Sequence, residues 1–317
     1  MRNIDMRITW IGNHEEGLIA FENTAKKGLI NGFITLDDEA FAKRSAGSRD
    51  YVDIAERYGI SVYPVSTIKN DESYEILKSL NPDLVVVFGW SEILPERLLD
   101  IPSMGTVGTH AALLPHNRGS APVNWAIIRG EKETGNTLMW LTKDVDSGTI
   151  IDQTAFPITL FDTCKTIYDK VAESNADMLD KLIAALEKGE RPVMDIKNET
   201  DEPLLPRRRP KDGLINWQQD AKSIYDFIRA LTIPYPGAFT YLGGRKWLLW
   251  EAMVLPLKCT EEPGTIKGAA YGFKDCGICV ATKDMYLCIN MIEDEEGHRF
   301  SGSELYELAL KGVFENE

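Results

Sequence analysis

The chain has 317 residues, of which 44% are hydrophobic, and this length predicts one large domain followed by a smaller one. Its 35 Lys and Arg residues are outnumbered by 49 Asp and Glu residues, which gives a net charge of −14 at pH 7. Such a charge repels polyanions at long range, so extended nucleic-acid binding is disfavoured.

The first residues lack the apolar core of a secretion signal, and no apolar run approaches the length of a membrane span. We therefore expect a cytoplasmic protein. Its five cysteines are an odd number scattered over a long chain, which is not typical of a disulfide scaffold. Cys276 and Cys279 are compatible with half of a zinc site, but no second CxxC or His pair follows at a suitable spacing. We favour free, buried cysteines and predict no metal.

Short apolar runs alternate with helical patterns as far as residue 188, which is typical of βαβ units. Strands are predicted at 7–11, 33–36, 61–65, 84–88, 105–110, 137–141 and 149–154. Helices are predicted at 15–27, 51–58, 72–80, 95–99, 122–128 and 163–188. The continuous apolar run at 84–88 suits a central strand that is covered on both faces. The pattern predicts an α/β fold with a doubly wound, mostly parallel sheet.

Residues 190–212 are rich in proline and charge, which predicts a linker. The arginines at 207–209 lie between Pro206 and Pro210, which favours an extended segment over a helix. A helix is then predicted at 221–231, and short strands with Gly-rich turns from about 239 to 291. We therefore expect a larger α/β domain at 1–205 and a smaller, β-rich, OB-like domain at 206–317.

Two polar residues, one at the end of a predicted strand and one in a turn between two strands, are candidates for a functional site. His110 ends the strand at 105–110, and the carboxyl ends of strands in an open α/β sheet face the ligand crevice. Asp146 lies in the turn between the strands at 137–141 and 149–154. A carboxylate beside an imidazole holds one tautomer and can accept a proton from an attacking amine. Each residue also has a structural explanation, a core hydrogen bond for His110 and turn capping for Asp146.

A series of short motifs resembles the formyltransferase family, which includes methionyl-tRNA, glycinamide ribonucleotide and nucleotide-sugar formyltransferases. In chain order the motifs are Phe88-Gly89-Trp90, Ile93-Leu94-Pro95, His110-Ala111-Ala112-Leu113-Leu114-Pro115, Arg118-Gly119, Ala121-Pro122, Glu133-Thr134-Gly135 and Asp146-Ser147-Gly148. The resemblance continues through 208–217 and 228–231 to 235–239, where that family's small C-terminal domain opens. It therefore covers most of the chain.

The resemblance implies an N-formyltransferase that moves a formyl group from 10-formyltetrahydrofolate to an amine. It places His110 and Asp146 at the catalytic His and Asp positions. The folate-binding residues that it implies are Phe88, Gly89, Trp90, Ile93, Leu94, Ala112, Leu113, Leu114, Pro115 and Asp144. The implied acceptor is a nucleotide-linked amino sugar, because Asn124-Trp125 looks like the sugar-modifying branch. A homodimer is left open.

The sequence departs from the family at Gly108, where the family has a catalytic asparagine that donates a hydrogen bond. Loss of such a donor costs on the order of a hundred- to a thousandfold in rate. Thr106, Asn117, Asn124 and a water molecule are the alternatives for its replacement. Gly108 supports one alternative function, a folate-binding family member with altered catalysis. A methionyl-tRNA formyltransferase is also left open, because it shares the motifs and the two-domain layout.

Overall fold

The computed structural model describes residues 6–43, 47–269, 272 and 274–315. These residues divide into two compact units, which we call the first and the second unit. The first comprises the described parts of Met1–Pro122, Glu133–Pro157 and Tyr168–Pro206. The second comprises those of Val123–Lys132, Ile158–Ile167 and Arg207–Glu317. A boundary between residues 205 and 206 stays a prediction, and two segments that precede it in sequence belong to the second unit.

The described residues of the first unit build a seven-stranded sheet. Its strands are β1 (Ile8–Ile11), β2 (Ile30–Leu36), β3 (Val62–Val65), β4 (Leu84–Val87), β5 (Gly105–His110), β6 (Glu133–Trp140) and β7 (Thr149–Pro157). Their order is β3-β2-β1-β4-β5-β6-β7. The pairs among β1 to β5 are parallel, whereas β6 pairs antiparallel with both β5 and β7. The predicted doubly wound, mostly parallel α/β sheet is confirmed.

The helices α1 to α7 lie between or after these strands. They are α1 (Leu18–Lys26), α2 (Asp38–Ala42), α3 (Asp50–Arg57), α4 (Asp71–Leu80), α5 (Glu96–Leu99), α6 (Pro122–Ile128) and α7 (Cys164–Leu186). Local chemistry sets the ends of α4, because the Asn70 side chain accepts a hydrogen bond from the Ser73 amide and Asn81 ends the helix with φ 46°. The sequence did not predict α2, which is too short for apolar periodicity to show it.

The strand β4 confirms the prediction of a strand covered on both faces. Leu84 and Val86 pack with residues of α1, α3 and α7, and Val85 and Val87 pack with residues of α4 and α5. Each strand residue therefore meets an apolar layer, which explains an uninterrupted apolar run. This burial holds the carboxyl ends of β1, β4 and β5 side by side.

The second unit contains an antiparallel sheet, so the predicted β-rich C-terminal region is confirmed. Its strands are β8 (Ala238–Leu242), β9 (Arg245–Lys258), β10 (Ile266–Ala269), β11 (Ile278–Ala281), β12 (Met285–Glu293) and β13 (Arg299–Ser301). The order is β10-β11-β12-β9-β8, with β13 on β12. The helices are α8 (Ala221–Leu231) and α9 (Gly302–Glu307), and the buried residues of α8 pack on the sheet. An OB-like fold stays a prediction.

The cysteines of the chain are free thiols, as expected. Cys279 in β11 lies opposite Cys288 in β12, and both side chains are buried among apolar neighbours. They pack there as small hydrophobic residues. Within the described parts of the chain, no helix is both long and apolar enough to span a bilayer.

Candidate functional site

His110, the last residue of β5, forms the centre of the candidate site. Its side chain is only 8% exposed, and its Nδ1 lies 3.5 Å from Oδ1 of Asp146. Its Nε2 lies 2.8 Å from the backbone oxygen of Asn117. A carbonyl oxygen can only accept, so Nε2 carries the hydrogen and donates it to Asn117. Nδ1 then faces the carboxylate, and the two groups can share a proton.

Asp146 is held in a tight turn that directs both of its carboxylate oxygens. Oδ1 faces His110, and Oδ2 accepts a hydrogen bond of 2.8 Å from the Gly119 amide. The residue has a φ of 50°, which is uncommon for a side chain other than glycine. Its neighbour Gly148 has no room for a side chain, because a Cβ there would lie 1.9 Å from the Trp140 oxygen. The turn therefore stores strain where it presents the carboxylate.

The segment predicted as a linker holds the loops on either side of the pair. The side-chain amide of Asn198 donates to the backbone oxygens of Asp146 at 2.9 Å and Gly148 at 2.8 Å. Leu205 pairs with the other loop, since its amide donates to the Arg118 oxygen at 2.7 Å and its oxygen accepts from Ser120 at 3.0 Å. Sequence reasoning missed both residues, because nothing in a Pro-rich, charged stretch distinguishes them.

A buried hydroxyl group in β6 helps to hold the loop after His110. The Thr137 hydroxyl in β6 donates to the Ala112 oxygen at 2.6 Å and accepts from the Leu114 amide at 3.2 Å. The Gln153 side chain in β7 donates to both Leu114 and Thr137. The predicted folate-binding stretch from Ala112 to Pro115 is therefore positioned by the two antiparallel strands.

The other predicted folate-binding loop presents its backbone more than its side chains. Phe88 is fully buried against Trp10, with 5.3 Å between ring centroids. The Gly89 oxygen accepts hydrogen bonds from the amides of Asn13 and His14. Trp90 is partly buried, Leu94 belongs to the core and Ile93 is 56% exposed. A ligand in this loop would therefore contact main-chain atoms and the Trp90 and Ile93 side chains.

A cleft of about 760 Å³ lies beside the turn of Asp146 and is lined partly by Thr106, Arg118, Leu141, Asp144 and Asn198. Among the residues predicted to bind folate, Asp144 is the one that lines it. Three of its lining residues have a buried polar atom without a hydrogen-bond partner, namely Thr106 Oγ1, Arg118 Nε and Asn198 Oδ1. Buried polar atoms are almost always satisfied. Their clustering in one cleft indicates a site for a polar ligand.

The surroundings of Gly108 bear on which group could replace the family's asparagine as a hydrogen-bond donor. A Cβ at Gly108 would lie 2.9 Å from Cδ2 of Leu141, so the Leu141 side chain occupies the space beside the glycine. Thr106 lies four positions before His110 in β5, a distance of about 13 Å along a strand. The Asn124 side chain is buried and already donates to the Ala230 oxygen at 2.6 Å. These contacts favour neither Thr106, nor Asn124, nor a water molecule as the donor.

Comparison with known proteins gives matches along most of the chain. The model of the formyl transferase family matches residues 22–183, and that of the formyl transferase C-terminal domain matches residues 208–309. The bifunctional polymyxin resistance protein ArnA of Wigglesworthia glossinidia brevipalpis is 35% identical over 263 residues, which cover 82% of this chain and 40% of that protein. A methionyl-tRNA formyltransferase of Caldanaerobacter subterraneus subsp. tengcongensis is 33% identical over 264 residues, which cover 82% of this chain and 85% of that protein.

Solved structures share the fold at lower identity. HypX from Aquifex aeolicus in complex with tetrahydrofolic acid has a TM-score of 0.67 and 20% identity, and the match covers 98% of this chain and 48% of that one. WlaRD, a sugar 3N-formyl transferase solved with dTDP and 5-N-formyl-THF, has a TM-score of 0.59 and 15% identity over 92% of this chain and 99% of that one. The chain thus spans less than half the length of ArnA and HypX.

Proposed function

Because the chain belongs to the formyl transferase family, we propose that it transfers a formyl group from 10-formyltetrahydrofolate to a primary amine. The observation that carries this proposal is the buried contact between His110 and Asp146 beside the cleft. The carboxylate is directed by Gly119, and the imidazole by Asn117. A proton acceptor is thereby held in place at the carboxyl ends of the strands, where ligands of such sheets bind.

The proposed reaction is an acyl transfer through a tetrahedral intermediate. The amine nitrogen attacks the formyl carbon, a C–N bond forms, and the π electrons of the C=O bond move to its oxygen. The amine gives up a proton to Asp146, directly or through Nδ1 of His110. The oxygen's electron pair then re-forms the C=O bond, the bond to N10 breaks, and N10 takes up that proton. The products are an N-formyl amine and tetrahydrofolate.

We place the pterin ring of the folate in the cleft. Its unpartnered atoms include the Thr106 hydroxyl group and the Asn198 side-chain oxygen, which match a heterocycle that has both donors and acceptors. Asp144 and Ser147 line the cleft and flank Asp146 in the chain, so we place the formyl group of a ligand in the cleft next to the pair. The backbone of the Phe88 and Ala112 loops would complete the pocket.

The acceptor that we propose is the amine of a nucleotide-linked sugar. The net charge of −14 supports a small acceptor, because a tRNA partner normally requires a basic surface. The likeness in fold to WlaRD is compatible with it. A second candidate is the formylation of methionyl-tRNA, which is supported by 33% identity over 85% of such an enzyme and by the exposed Arg207 and Arg209.

The purified protein with 10-formyltetrahydrofolate can be assayed against a panel of amino-sugar nucleotides and against charged initiator tRNA. We expect tetrahydrofolate and a formylated sugar, with kcat/KM at least about a hundredfold above that for the tRNA. The reverse preference would establish the second candidate. Folate binding without transfer to any acceptor would favour the family member with altered catalysis. Light scattering of the same sample tests whether the protein forms a homodimer.

A further inference from the structure

The proposed reaction needs a hydrogen-bond donor for the oxygen that becomes negative. His110 cannot serve through Nε2, since this N–H already donates to the Asn117 oxygen at 2.8 Å. The Gly119 amide is used by Asp146 at 2.8 Å. Gly108 has no side chain, and Leu141 fills the space next to it. Neither the Nε2–H of His110 nor the Gly119 amide is therefore available to donate to this oxygen.

Arg118 lies between the two residues that hold the pair. Its preceding neighbour Asn117 accepts the hydrogen bond of His110, and its following neighbour Gly119 donates to Asp146. Its own side chain reaches the turn of Asp146, where Nη2 donates to the Val145 oxygen at 2.6 Å. The guanidinium is thus anchored at one end beside the catalytic carboxylate.

The rest of the guanidinium offers an unused donor. Nε is buried and has no hydrogen-bond acceptor, and the residue lines the cleft. A buried donor without an acceptor destabilises a protein, and a ligand oxygen would remove that cost. A guanidinium is always charged at neutral pH and has only donors, so it suits an oxyanion better than a neutral amide does.

We propose that Arg118 is a catalytic residue whose Nε–H donates to the formyl oxygen and stabilises its negative charge in the tetrahedral intermediate. This inference rests on the proposed formyl transfer. It gives the chain a cationic donor in place of the one that a side chain at Gly108 would supply. The removal of a donor of this kind lowers kcat by on the order of a hundred- to a thousandfold.

The test compares the full-length wild type with Arg118→Ala and Arg118→Lys. We expect kcat to fall about a hundredfold or more in Arg118→Ala, with the Kd for folate, measured by calorimetry, within about threefold of the wild type. Added guanidinium should restore activity at least about tenfold, and tetramethylammonium should not, because it cannot donate. The matched control is Asn198→Ala, which also frees backbone oxygens of the turn but should show no response to guanidinium.

Arg118→Lys keeps the positive charge but lacks the planar fork of N–H groups. It should be as stable as the wild type in thermal unfolding and yet lose at least about tenfold in kcat, so it serves as the test if Arg118→Ala does not fold. Wild-type kcat in the lysine variant, or a folded Arg118→Ala that guanidinium does not rescue, would overturn the inference. An inactive wild type would instead overturn the proposed function, and this inference with it.

Discussion

The position of one proton at His110 depends on a backbone oxygen. Because the Asn117 carbonyl accepts from Nε2, the ring has to present Nδ1 to Asp146. Asn117 itself has a φ of 58°, so the loop is bent to bring that oxygen to the imidazole. The pair is consequently ready for proton transfer before any ligand binds.

Replacement of either member of the pair should lower turnover more than folate binding. His110→Ala removes the imidazole, and Asp146→Asn keeps the shape but removes the proton acceptor. We expect kcat to fall about a hundredfold or more in both, with the Kd for folate within about threefold. His116→Ala is the matched control, since that exposed histidine pairs with Glu202 and should keep full activity. Unchanged turnover in both variants would contradict the assignment.

Glu16 should make the stability of the protein depend on pH. Burial raises the pKa of this partly buried carboxyl group from 4.5 to about 7, so the folded state holds its proton to a higher pH than the unfolded state does. The contribution is fully present below pH 4.5 and is lost as the pH rises to about 7. Relative to Glu16→Gln, the free energy of unfolding of the wild type should fall by about 2 kcal/mol across this pH window. This is less than the full pKa shift implies, because water reaches the partly buried carboxyl group.

Urea unfolding at pH 4.5, 6 and 8 measures this difference. The neighbouring exposed Glu15→Gln is the matched control for the loss of one carboxylate from this part of the chain. A difference between wild type and Glu16→Gln that stays constant from pH 4.5 to 8 would contradict the prediction.

At the scale of elements, the antiparallel strands β6 and β7 position a loop that follows a parallel strand. Thr137 is fully buried, and its hydroxyl is bonded to Ala112, Leu114 and Gln153. Thr137→Val keeps the shape but leaves the buried oxygen of Ala112 and the buried amide of Leu114 without this partner. We expect a loss of about 1–3 kcal/mol in the free energy of unfolding, measured with urea.

Thr137→Ser retains the hydroxyl group and is the control for its loss. Its free energy of unfolding should lie within about 1 kcal/mol of the wild-type value. Equal stability of the valine variant and the wild type would show that these hydrogen bonds do not hold the loop.

At the scale of the whole molecule, charge bears on the choice of acceptor. Because the net charge is −14, the protein should bind tRNA only weakly, with a Kd above about 100 μM at 150 mM salt. Deacylated tRNA serves as the polyanion probe. Fluorescence anisotropy measures this binding. The control is the double variant Arg207→Glu and Arg209→Glu. Tight binding by the wild type that the variant loses would favour the methionyl-tRNA candidate.

The sequence by itself determined the elements whose signals are local. The bounds of β5, α6 and α8 agree with the predictions for 105–110, 122–128 and 221–231. Apolar alternation and helical periodicity report which face of an element is buried, and Pro122 marks a helix start. The motif order likewise placed His110 and Asp146 as partners, and the structure has them 3.5 Å apart.

The tertiary structure alone decided what surrounds that pair. Asn198 and Leu205 hold its loops from a stretch that reads only as a linker, and Leu141 fills the space beside Gly108. Asn198 contacts Asp146 across 52 positions, and Leu205 contacts Arg118 from farther still. Folding brings these residues together from distant parts of the chain. The residues next to each of them in sequence lie in different surroundings and carry no sign of the contact. Periodicity and spacing report only nearby positions, so they cannot encode which distant side chain completes a site.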